Sequence, residues 1–451
     1  MSNIDHFRRH GLFDARVPRY TSYPPANHFL DGSGLRHQQR WLRSVEDGTD
    51  VSIYIHVPFC KRLCWFCACR TQGTKTMRPV DAYIEVLRKE IRTVRATLPD
   101  DIRMSRLHLG GGTPTILSPE TMQLLLDEVY GAFPRADDHE FSVEVDPTEA
   151  GEPLLQTLMD YGMNRASLGV QDFAADVQEA IGRHQSLEQT RHIVDFLRAN
   201  GVRSLNLDVL YGLPHQTSDS FSKTLEHVIA LQPDRVAIYG YAHVPWMSKR
   251  QVMIKQADLP DGPSRFELAE CAGDMFTQSG YKAVGIDHFA KPTDSLAKAA
   301  MAGTLRRNFQ GYTDDPSETL LGFGASAISR FPQGYAQNAP ATSAYQERIE
   351  ATGFASYKGF EMSADDDLMA RMIEDLMCRF SFNEKILTEQ FPAQHVFIHS
   401  TAVSLMKKFS DLFFISRDGL QLHSDAYPLV RVIAGFMDSR TSDQVAHSSA
   451  I

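Results

Sequence analysis

The segment "VSIYIHVPFCKRLCWFCACR" at positions 51–70 decides the fold. It begins with an apolar, β-branched run, Val51–Val57, which is typical of a buried strand, and it continues directly into a group of cysteines. The cysteines of this group are Cys60, Cys64, Cys67 and Cys69. A strand that ends in so dense a set of thiols predicts a metal or redox site at the edge of a sheet.

Five more strand candidates follow along the chain, and each is separated from the last by a helical pattern. They are Ser105–Gly110, Glu140–Asp146, Arg165–Gln171, Ser204–Tyr211 and Arg235–Tyr241. One intervening helix should begin at Ser118 as the N-cap, with Pro119 in its first position. Repeated strand–helix units predict a parallel sheet with right-handed crossovers, either doubly wound or curled into a barrel.

Polar and glycine-rich motifs stand where these strands end. They are "GGGTPT" (110–115), "EVDP" (144–147), "GVQDF" (169–173), "DVLYGLP" (208–214) and "YGYAHVP" (239–245). In parallel α/β proteins the active site lies at the carboxyl ends of the strands. We therefore expect these motifs and the cysteines to meet on one rim.

Composition favours an ordinary enzyme. Of the 451 residues, 43% are hydrophobic and 23% charged, which allows a large core. We expect a cytoplasmic protein because we find neither a signal-peptide core nor an apolar run long enough to span a membrane. The net charge of −10, without a long basic run, argues against a nucleic-acid partner. An anionic substrate would then need a local basic pocket.

The remaining segments predict appendages around the barrel. "VPRYTSYPP" (17–25) reads as an ordered extended segment, and "LFFISRDGLQL" (412–422) as a hairpin among helices. Helices with a small wing suggest a winged-helix-like domain. The predicted division is an N-terminal extension closing over the active site (1–50), the barrel with its extension (51–335), a mostly helical C-terminal domain (336–437) and a disordered tail (438–451).

The cysteine spacing favours an iron–sulfur cluster over other uses of thiols. Zinc would need two separated pairs of ligands, and a reducing compartment disfavours disulfides. A CxxxCxxC loop supplies three ligands and leaves one iron of a cubane without a protein ligand. Cys69 is an alternative fourth ligand that would close the cluster. The other two cysteines, Cys271 and Cys378, read as buried core residues.

Polar groups at the strand ends favour the open form of the cluster. The glycine run after the second strand brings backbone groups within reach of a small ligand. Glu144, Gln171, Arg183 and Asp208 offer partners for amino, ribose and carboxylate groups. Such groups would surround a small ligand that chelates the iron left without a protein ligand.

These motifs resemble those of a known family. The CxxxCxxC loop after the first barrel strand, with a glycine motif after the second, is similar to the radical S-adenosylmethionine (SAM) superfamily. The resemblance is narrower still to the oxygen-independent coproporphyrinogen III oxidase (dehydrogenase) family. It rests on "VPRYTSYP", "YIHVPFCKRLCWFCAC", "HLGGGTPT", "VEVDP", "LGVQDF", "LDVLYGLP", "DHFA" and "NFQGYT". It covers about 17–335, and the C-terminal part matches only in outline.

The resemblance implies a partial (β/α)6 TIM-like barrel of the radical SAM type and a set of site residues. Cys60, Cys64 and Cys67 would bind one 4Fe–4S cluster, and two SAM molecules would be held. Residues for the first SAM are Tyr54, Gly111, Glu144 and Ile328. Residues for the second are Phe66, Gly112, Thr113, Gln171, Arg183, Asp208 and Ala242. Cys69 would matter for activity without binding the cluster, and Arg19, Tyr20 and Tyr23 would lie in a segment closing over the substrate.

The implied activity is a step of porphyrin and haem biosynthesis without oxygen. SAM cleavage would give a 5′-deoxyadenosyl radical that removes hydrogen from the β-carbon of a propionate; loss of CO2 and one electron then leaves a vinyl group. Two such events convert coproporphyrinogen III to protoporphyrinogen IX. A small electron-donor protein such as flavodoxin or ferredoxin would serve a monomeric enzyme. The alternative is a haem-binding chaperone or a haem-modifying paralogue; the chaperones generally lack "RYTSYP" and the Cys69 position.

A substrate with four carboxylates needs cations near the rim. The candidates are Arg19, Lys61, Arg62, Lys249, Arg250, Arg306 and Arg307. Arg19 and Lys61 are favoured because they flank the recognised motifs, whereas Lys249 and Arg250 read as solvated surface charges.

Overall fold

A computed structural model describes residues 3–440 and 450–451 of the chain. Its strands, in chain order, are β1 (Leu30–Asp31), β2 (Asp50–Val57), β3 (Phe59–Cys60), β4 (Gln72–Gly73), β5 (Arg103–Gly111), β6 (Arg135–Val145), β7 (Arg165–Gln171), β8 (Ser204–Tyr211), β9 (Arg235–Gly240), β10 (Lys282–Val284), β11 (His288–Ala290), β12 (Arg306–Asn308), β13 (Gly311–Thr313), β14 (Leu320–Phe323), β15 (Ile328–Phe331), β16 (Gly334–Asn338), β17 (Ser356–Glu361), β18 (Ser381–Phe382), β19 (Phe413–Ser416) and β20 (Gly419–Leu422).

The helices connect and cover these strands. They are α1 (Asn3–Arg9), α2 (Gly34–Leu42), α3 (Arg78–Arg95), α4 (Pro119–Ala132), α5 (Glu152–Asp160), α6 (Ala175–Ile181), α7 (Leu187–Ala199), α8 (Ser218–Ala230), α9 (Gly262–Gln278), α10 (Ser295–Ala302), α11 (Thr342–Thr352), α12 (Ala364–Arg379), α13 (Glu384–Gln390), α14 (His395–Lys408) and α15 (Val430–Met437).

Six parallel strands form the centre of the molecule, as the sequence predicts. The order β2-β5-β6-β7-β8-β9 runs through a 13-stranded sheet, and each neighbouring pair is parallel. β14 adds a seventh parallel strand outside β2, where Gly322 lies opposite Tyr54. The predicted bounds of β7 and β8 match the structure, and the other four strands differ by a few residues at their ends.

Local sequence explains where the crossover helices begin. The Ser118 side chain accepts a hydrogen bond from the Thr121 amide and caps α4, with Pro119 in its first turn as predicted. α7 begins with a capping box between Ser186 and Gln189. The buried apolar faces of these helices join the strands in one core, so the parallel sheet is covered as such sheets require.

Antiparallel strands extend the sheet on both sides. β11 and β10 follow β9, and β15, β16, β17 and β1 follow β14. The predicted domain boundary at 336 therefore falls inside β16, and the structure differs from that prediction. Backbone pairing of β16 with β15 and β17 keeps the chain in the barrel sheet as far as Glu361.

The C-terminal domain consists of α12 to α15 with a three-stranded sheet in the order β18-β20-β19. This arrangement agrees with the predicted helices and wing. Its core also contains N-terminal side chains, among them Phe7, Leu12 and Val17. The extension is thus divided, because α2 packs instead on β16 and β17 of the barrel sheet.

The predicted disordered tail lies mostly outside the described residues. Where the structure describes it, it differs from the prediction. Asp438 and Ala450 are both buried, and the Ala450 amide donates to the Ala15 carbonyl at 2.9 Å. No helix of the described residues is long and apolar enough to cross a membrane.

Candidate active site

The cysteine loop leaves the end of β2 and crosses the rim of the barrel. Cys60 lies in β3, which pairs with β4, while Cys64 is buried and Cys67 half-buried. The Cys67 amide donates to the Cys64 carbonyl at 3.4 Å, which closes a tight turn between the second and third cysteines. All six cysteines of the chain are free thiols.

A short turn after β9 holds this loop in place, and sequence reasoning missed it. The Gln251 side chain is fully buried; its amide nitrogen donates to the Phe66 carbonyl at 2.6 Å and its oxygen accepts from the Val244 amide at 2.5 Å. Ser248 donates to the Cys67 carbonyl at 2.9 Å. These residues lie about 180 positions from the loop in sequence, so no local pattern connects them to it.

The thiols influence one another electrostatically. Burial, together with the nearby Cys67 and Cys64 thiols, raises the pKa of Cys60 to about 11. A hydrogen bond with Cys69 lowers the pKa of Cys67 to about 6, and the same bond raises the pKa of Cys69. Three soft sulfur donors on one ordered loop fit an iron–sulfur cluster.

The glycine run after β5 packs directly against this loop. Gly111 has a φ of 113°, which favours glycine, and a Cβ there would meet His56 at 2.6 Å. A Cβ on Gly112 would meet the Phe59 carbonyl oxygen at 2.6 Å. The amides of Gly112 and Thr113 donate to Val57 and Phe59 at 2.9 Å each. Glycine is therefore required for the close approach of two backbone segments.

Glu144 accepts hydrogen bonds at the centre of the rim. The Gly111 amide donates to its Oε2 at 3.0 Å, and His108 Nε2 lies 3.4 Å from its Oε1. Although burial raises the pKa of Glu144, these two contacts hold it below its usual value. Glu144 is thus an ionised carboxylate, suited to a cationic amino group.

Tyr54 forms a separate contact chain beside it. Its hydroxyl lies 2.9 Å from His56 Nδ1, and His56 Nε2 lies 3.1 Å from the Arg70 carbonyl. Because a carbonyl only accepts, His56 carries its proton on Nε2 and Tyr54 donates to Nδ1. The Tyr54 ring stacks on His108 with centroids 5.8 Å apart. Burial lowers the pKa of His56, which keeps the ring neutral.

A second carboxylate, Asp208, stands on β8. It accepts from Asn206 Nδ2 at 2.7 Å and from Ser167 Oγ at 3.0 Å. Burial raises its pKa, and the charge of Glu144 raises it further. The charge of Glu144 therefore acts on Asp208 across the site, although each carboxylate has its own hydrogen-bond donors.

Arg183 joins the cysteine loop to the end of β7. It donates to Asp146 Oδ2 at 3.0 Å and to the Gly169 carbonyl at 2.9 Å, and its NH1 lies 3.6 Å from Cys64 Sγ. Gln171, at the end of the same strand, has a left-handed φ of 68°. The contacts of Arg183 bring one of the predicted SAM residues to the loop that carries the cysteines, and they tie that loop to the strand that ends at Gln171.

The remaining predicted cofactor residues occupy different parts of the rim. Phe66 packs on a buried apolar cluster that includes Ile181 and Tyr241. The Ala242 carbonyl accepts from Gln251 at 3.1 Å. Ile328 follows the turn after β14, where its backbone faces Gly322 opposite Tyr54.

A cavity of about 1480 Å³ opens inside this rim. Of the predicted site residues, its wall contains Arg19, Glu144, Asp208 and Ala242. Tyr20 is not part of that wall; it is buried, and its hydroxyl donates to Asp438 at 3.1 Å. The volume exceeds the roughly 300–1,000 Å³ that is typical of a small-molecule site.

The structure separates the basic candidates. Arg19 and Arg307 line the cavity, together with Arg265 and Arg431, which sequence reasoning missed. The others have different contacts or positions: Arg62 donates to His184 and Thr148, Arg250 to Thr71, Arg306 to Pro316, and Lys61 and Lys249 are exposed. Arg265 lies in a helix that bears no recognisable motif, so only its position in the fold identifies it.

Comparison with known proteins gives consistent results. The model of the Radical SAM superfamily matches residues 54–228. The chain is 49% identical to the oxygen-independent coproporphyrinogen III oxidase of Paracoccus denitrificans, with 100% of both chains covered. It is 47% identical to coproporphyrinogen III oxidase, anaerobic 1, of Cereibacter sphaeroides, again with 100% of both covered.

A solved structure resembles the whole molecule. Coproporphyrinogen III oxidase from Escherichia coli, described as a radical SAM enzyme, superposes with a TM-score of 0.90 at 34% identity. The match covers 95% of this chain and 100% of that chain. The similarity therefore includes the C-terminal domain, where sequence motifs matched only in outline.

Proposed function

This chain belongs to the oxygen-independent coproporphyrinogen III oxidase family of the radical SAM superfamily, and we propose that its rim residues carry out that family's reaction. The reaction is oxidative decarboxylation of coproporphyrinogen III to protoporphyrinogen IX. The observation that carries this conclusion is near-50% identity over the full length to proteins of that name. The chaperone and haem-modifying alternatives are not favoured.

The cofactors are a 4Fe–4S cluster and SAM, and the residues present fit both. Cys60, Cys64 and Cys67 would hold the cluster on a loop secured by Gln251. When bound, these cofactors supply the one-electron chemistry that starts removal of hydrogen from a propionate. The chain's own part is to bind, orient and exclude water.

We propose two SAM positions, each near one carboxylate. Ionised Glu144, with Tyr54, Gly111 and Ile328, would receive the first molecule's amino group. Asp208 and the second set, Phe66, Gly112, Thr113, Gln171, Arg183 and Ala242, would receive the other. In support of this, Glu144 and Asp208 keep separate hydrogen-bond donors.

Cys69 and the N-terminal segment have different proposed roles. Cys69 contacts Cys67 through its amide and its thiol, so it would act beside the cluster rather than bind it. Arg19 lines the cavity and would meet the substrate. Tyr20, bonded to Asp438, would be a positioning residue that holds the segment closed.

The protein would need a substrate and an electron donor as partners. Coproporphyrinogen III is the substrate, and a small acidic electron donor such as flavodoxin or ferredoxin would approach the exposed side of the cysteine loop, where Lys61 and Arg70 lie. We propose a monomer that works in the cytoplasm. Light scattering after gel filtration, with and without the donor protein, tests the oligomeric state.

The decisive experiment is an anaerobic assay with reconstituted cluster, SAM, reductant and coproporphyrinogen III. We expect two vinyl groups per substrate in the wild type. Cys64→Ser should lose the cluster and SAM cleavage, whereas Cys69→Ser should keep the cluster absorbance and lose turnover. SAM cleavage by the wild type without vinyl product would overturn the substrate assignment, and loss of the cluster in Cys69→Ser would overturn the role proposed for Cys69.

A further inference from the structure

Four arginines converge on the part of the cavity wall beside β9 and β11. They are Arg19, Arg265, Arg307 and Arg431. They come from the N-terminal segment, α9, β12 and α15, so four separate segments of the chain build one surface. Arg19 donates to the Gly240 carbonyl at 3.1 Å and Arg265 to the Tyr241 carbonyl at 2.8 Å, which places both at the end of β9.

Arg307 is buried and has N–H donors that no acceptor uses. Only 9% of the residue is exposed, and its Nε and NH1 are buried without a hydrogen-bond partner. Its third nitrogen, NH2, donates to the Arg19 carbonyl at 3.2 Å, and its guanidinium lies 4.3 Å from the centre of the Tyr312 ring. A buried guanidinium with two unused donors is costly unless an acceptor binds there.

Arg265 repeats this pattern next to it. Its NH2 bonds to the Tyr241 and Ile451 carbonyls, at 2.8 and 3.1 Å, but its buried Nε has no partner. The Tyr241 carbonyl is a neutral acceptor, and the Nε donor of Arg265 is left unused. Arg265 is thus a second cation with an unused donor in the same wall.

The four charges repel one another. Burial, together with the charges of the nearby Arg19 and Arg307, lowers the pKa of Arg431 to about 10. Burial is the main cause of the lowered pKa of Arg265, and the charge of Arg19 contributes to it. The charge of the Asp287 carboxylate favours higher pKa values for Arg307 and Arg431. Asp287 Oδ1 also lies 2.6 Å from His288 Nδ1. Four guanidiniums meet in this region of the wall, and two of them have unused N–H donors, so a bound anion would be stabilised there.

We propose that Arg265 and Arg307, with Arg19 and Arg431 around them, bind a propionate of the porphyrinogen that is retained in the product. This inference rests on the proposed function. Coproporphyrinogen carries four propionates, of which two react and two remain. Planar guanidiniums with spare N–H donors match the two oxygens of a carboxylate.

A retained propionate fits this site better than a reacting one. The reacting carboxylate leaves as CO2 and gives up its negative charge on the way. A strongly cationic site would stabilise that carboxylate before the reaction more than during it, which slows the reaction. A retained carboxylate keeps its charge throughout, so strong binding positions the substrate without this cost.

The test is Arg307→Met in the reconstituted holoenzyme, with Arg306→Met as the matched control. Arg306 is the neighbouring residue, but it donates to Pro316 and lies outside the large cavity wall. We expect Arg307→Met to raise the KM for coproporphyrinogen III tenfold or more with kcat changed less than threefold, since one charge-assisted carboxylate contact is lost. Arg307→Lys should recover part of the affinity, and Arg306→Met should match the wild type.

Two blocked porphyrinogens identify the propionate, each measured as a competitive inhibitor. With the two retained propionates as methyl esters, binding should weaken in the wild type and Arg307→Met should cause no further loss. With the two reacting propionates esterified, Arg307→Met should still weaken binding tenfold. The reverse pattern, or an unchanged KM in Arg307→Met with a normal cluster spectrum, would overturn the proposal. Absence of vinyl product in the wild type would instead defeat the proposed function.

Discussion

At the scale of single residues, the contact that matters most for the cysteine loop is one that carries no chemistry. The Gln251 amide links the loop, through Phe66, to the backbone after β9, through Ala242 and Val244. It has no exposed surface, so each of its three contacts replaces water entirely. A glutamine at this place positions the ligands without touching them.

We therefore expect Gln251→Leu to loosen the cluster. Leucine has a similar size but leaves two carbonyls and one amide buried without partners, at about 1–3 kcal/mol each. The variant should lose its visible absorbance several times faster than the wild type when a chelator is added anaerobically. Ser248→Ala, which removes one contact to the Cys67 carbonyl, should have a smaller effect in the same assay. Equal rates of cluster loss in Gln251→Leu and wild type would contradict this role.

Residues that belong to a local pattern could be predicted from the sequence. The four cysteines follow a strand, and Glu144 and Asp208 lie within strands, whose apolar runs are visible in the sequence. Gln251, Arg265 and Arg431 could not be found in this way, because their partners are distant in the chain. Their roles arise only when α9, α15 and the turn after β9 pack around the rim.

At the scale of elements, α3 is joined to the strands beside it by a buried carboxylate. Glu90 accepts from Tyr345 at 2.7 Å, from the Gly324 amide at 2.8 Å and from Asn338 at 2.7 Å. Burial raises its pKa to about 7 although these three bonds oppose the rise. The contacts connect α3 with α11, with β16 and with the turn between β14 and β15.

This carboxylate should make stability depend on pH. Between its ordinary pKa near 4.5 and about 7, the unfolded chain ionises Glu90 while the folded protein keeps it protonated. The free energy of unfolding should therefore fall by up to about 3 kcal/mol over this range and stay level above it. Glu90→Gln cannot titrate, so its Tm relative to the wild type should rise from pH 5 to 7.5.

The measurement is calorimetric Tm of the anaerobic holoprotein at several pH values. Glu85→Gln provides the control, because Glu85 lies on the same helix but is exposed and pairs with Arg88 at 2.9 Å. Its Tm difference from the wild type should stay nearly constant. If the Glu90→Gln difference is equally constant, the titration that we describe does not govern stability.

The elements themselves were predicted well where apolar periodicity is strong. The six barrel strands and the wing hairpin β19-β20 appear where the sequence places them. The boundary near 336 was not predicted correctly, since the places of the short strands β16 and β17 are decided by pairing: β16 pairs with β15, and β17 pairs with β16. Such pairing joins residues that no local pattern relates.

At the scale of the whole molecule, the N-terminal segment joins the C-terminal domain over the cavity. Tyr20 and Tyr23 donate to the two oxygens of Asp438, at 3.1 and 3.2 Å. Asp438 is only 5% exposed. Burial and this carboxylate raise the pKa of Tyr23, so the tyrosine remains a donor at any physiological pH. Arg19, next to Tyr20, is thereby held at the cavity wall.

Asp438→Ala should open this segment. The change removes the Asp438 acceptor from two buried hydroxyls, and an unmet buried hydroxyl costs about 1–3 kcal/mol. We expect faster proteolysis within residues 17–25 and a several-fold higher KM for coproporphyrinogen III, with the cluster absorbance unchanged. Asp418→Ala is the matched control, because Asp418 lies in the same domain but is exposed and 3.8 Å from exposed Lys385. Proteolysis at the wild-type rate in Asp438→Ala would contradict the proposed closure.

The shared core of the two ends also has a consequence for how the protein is made. Phe7, Leu12 and Val17 share a core with side chains from α12, α14 and α15, so this core is complete only after nearly the entire chain has left the ribosome. The barrel can fold earlier, since its strands pair with near neighbours in sequence. During that interval an apolar N-terminal segment stays uncovered. Translation speed and holding chaperones should therefore affect the yield of the C-terminal domain more than that of the barrel.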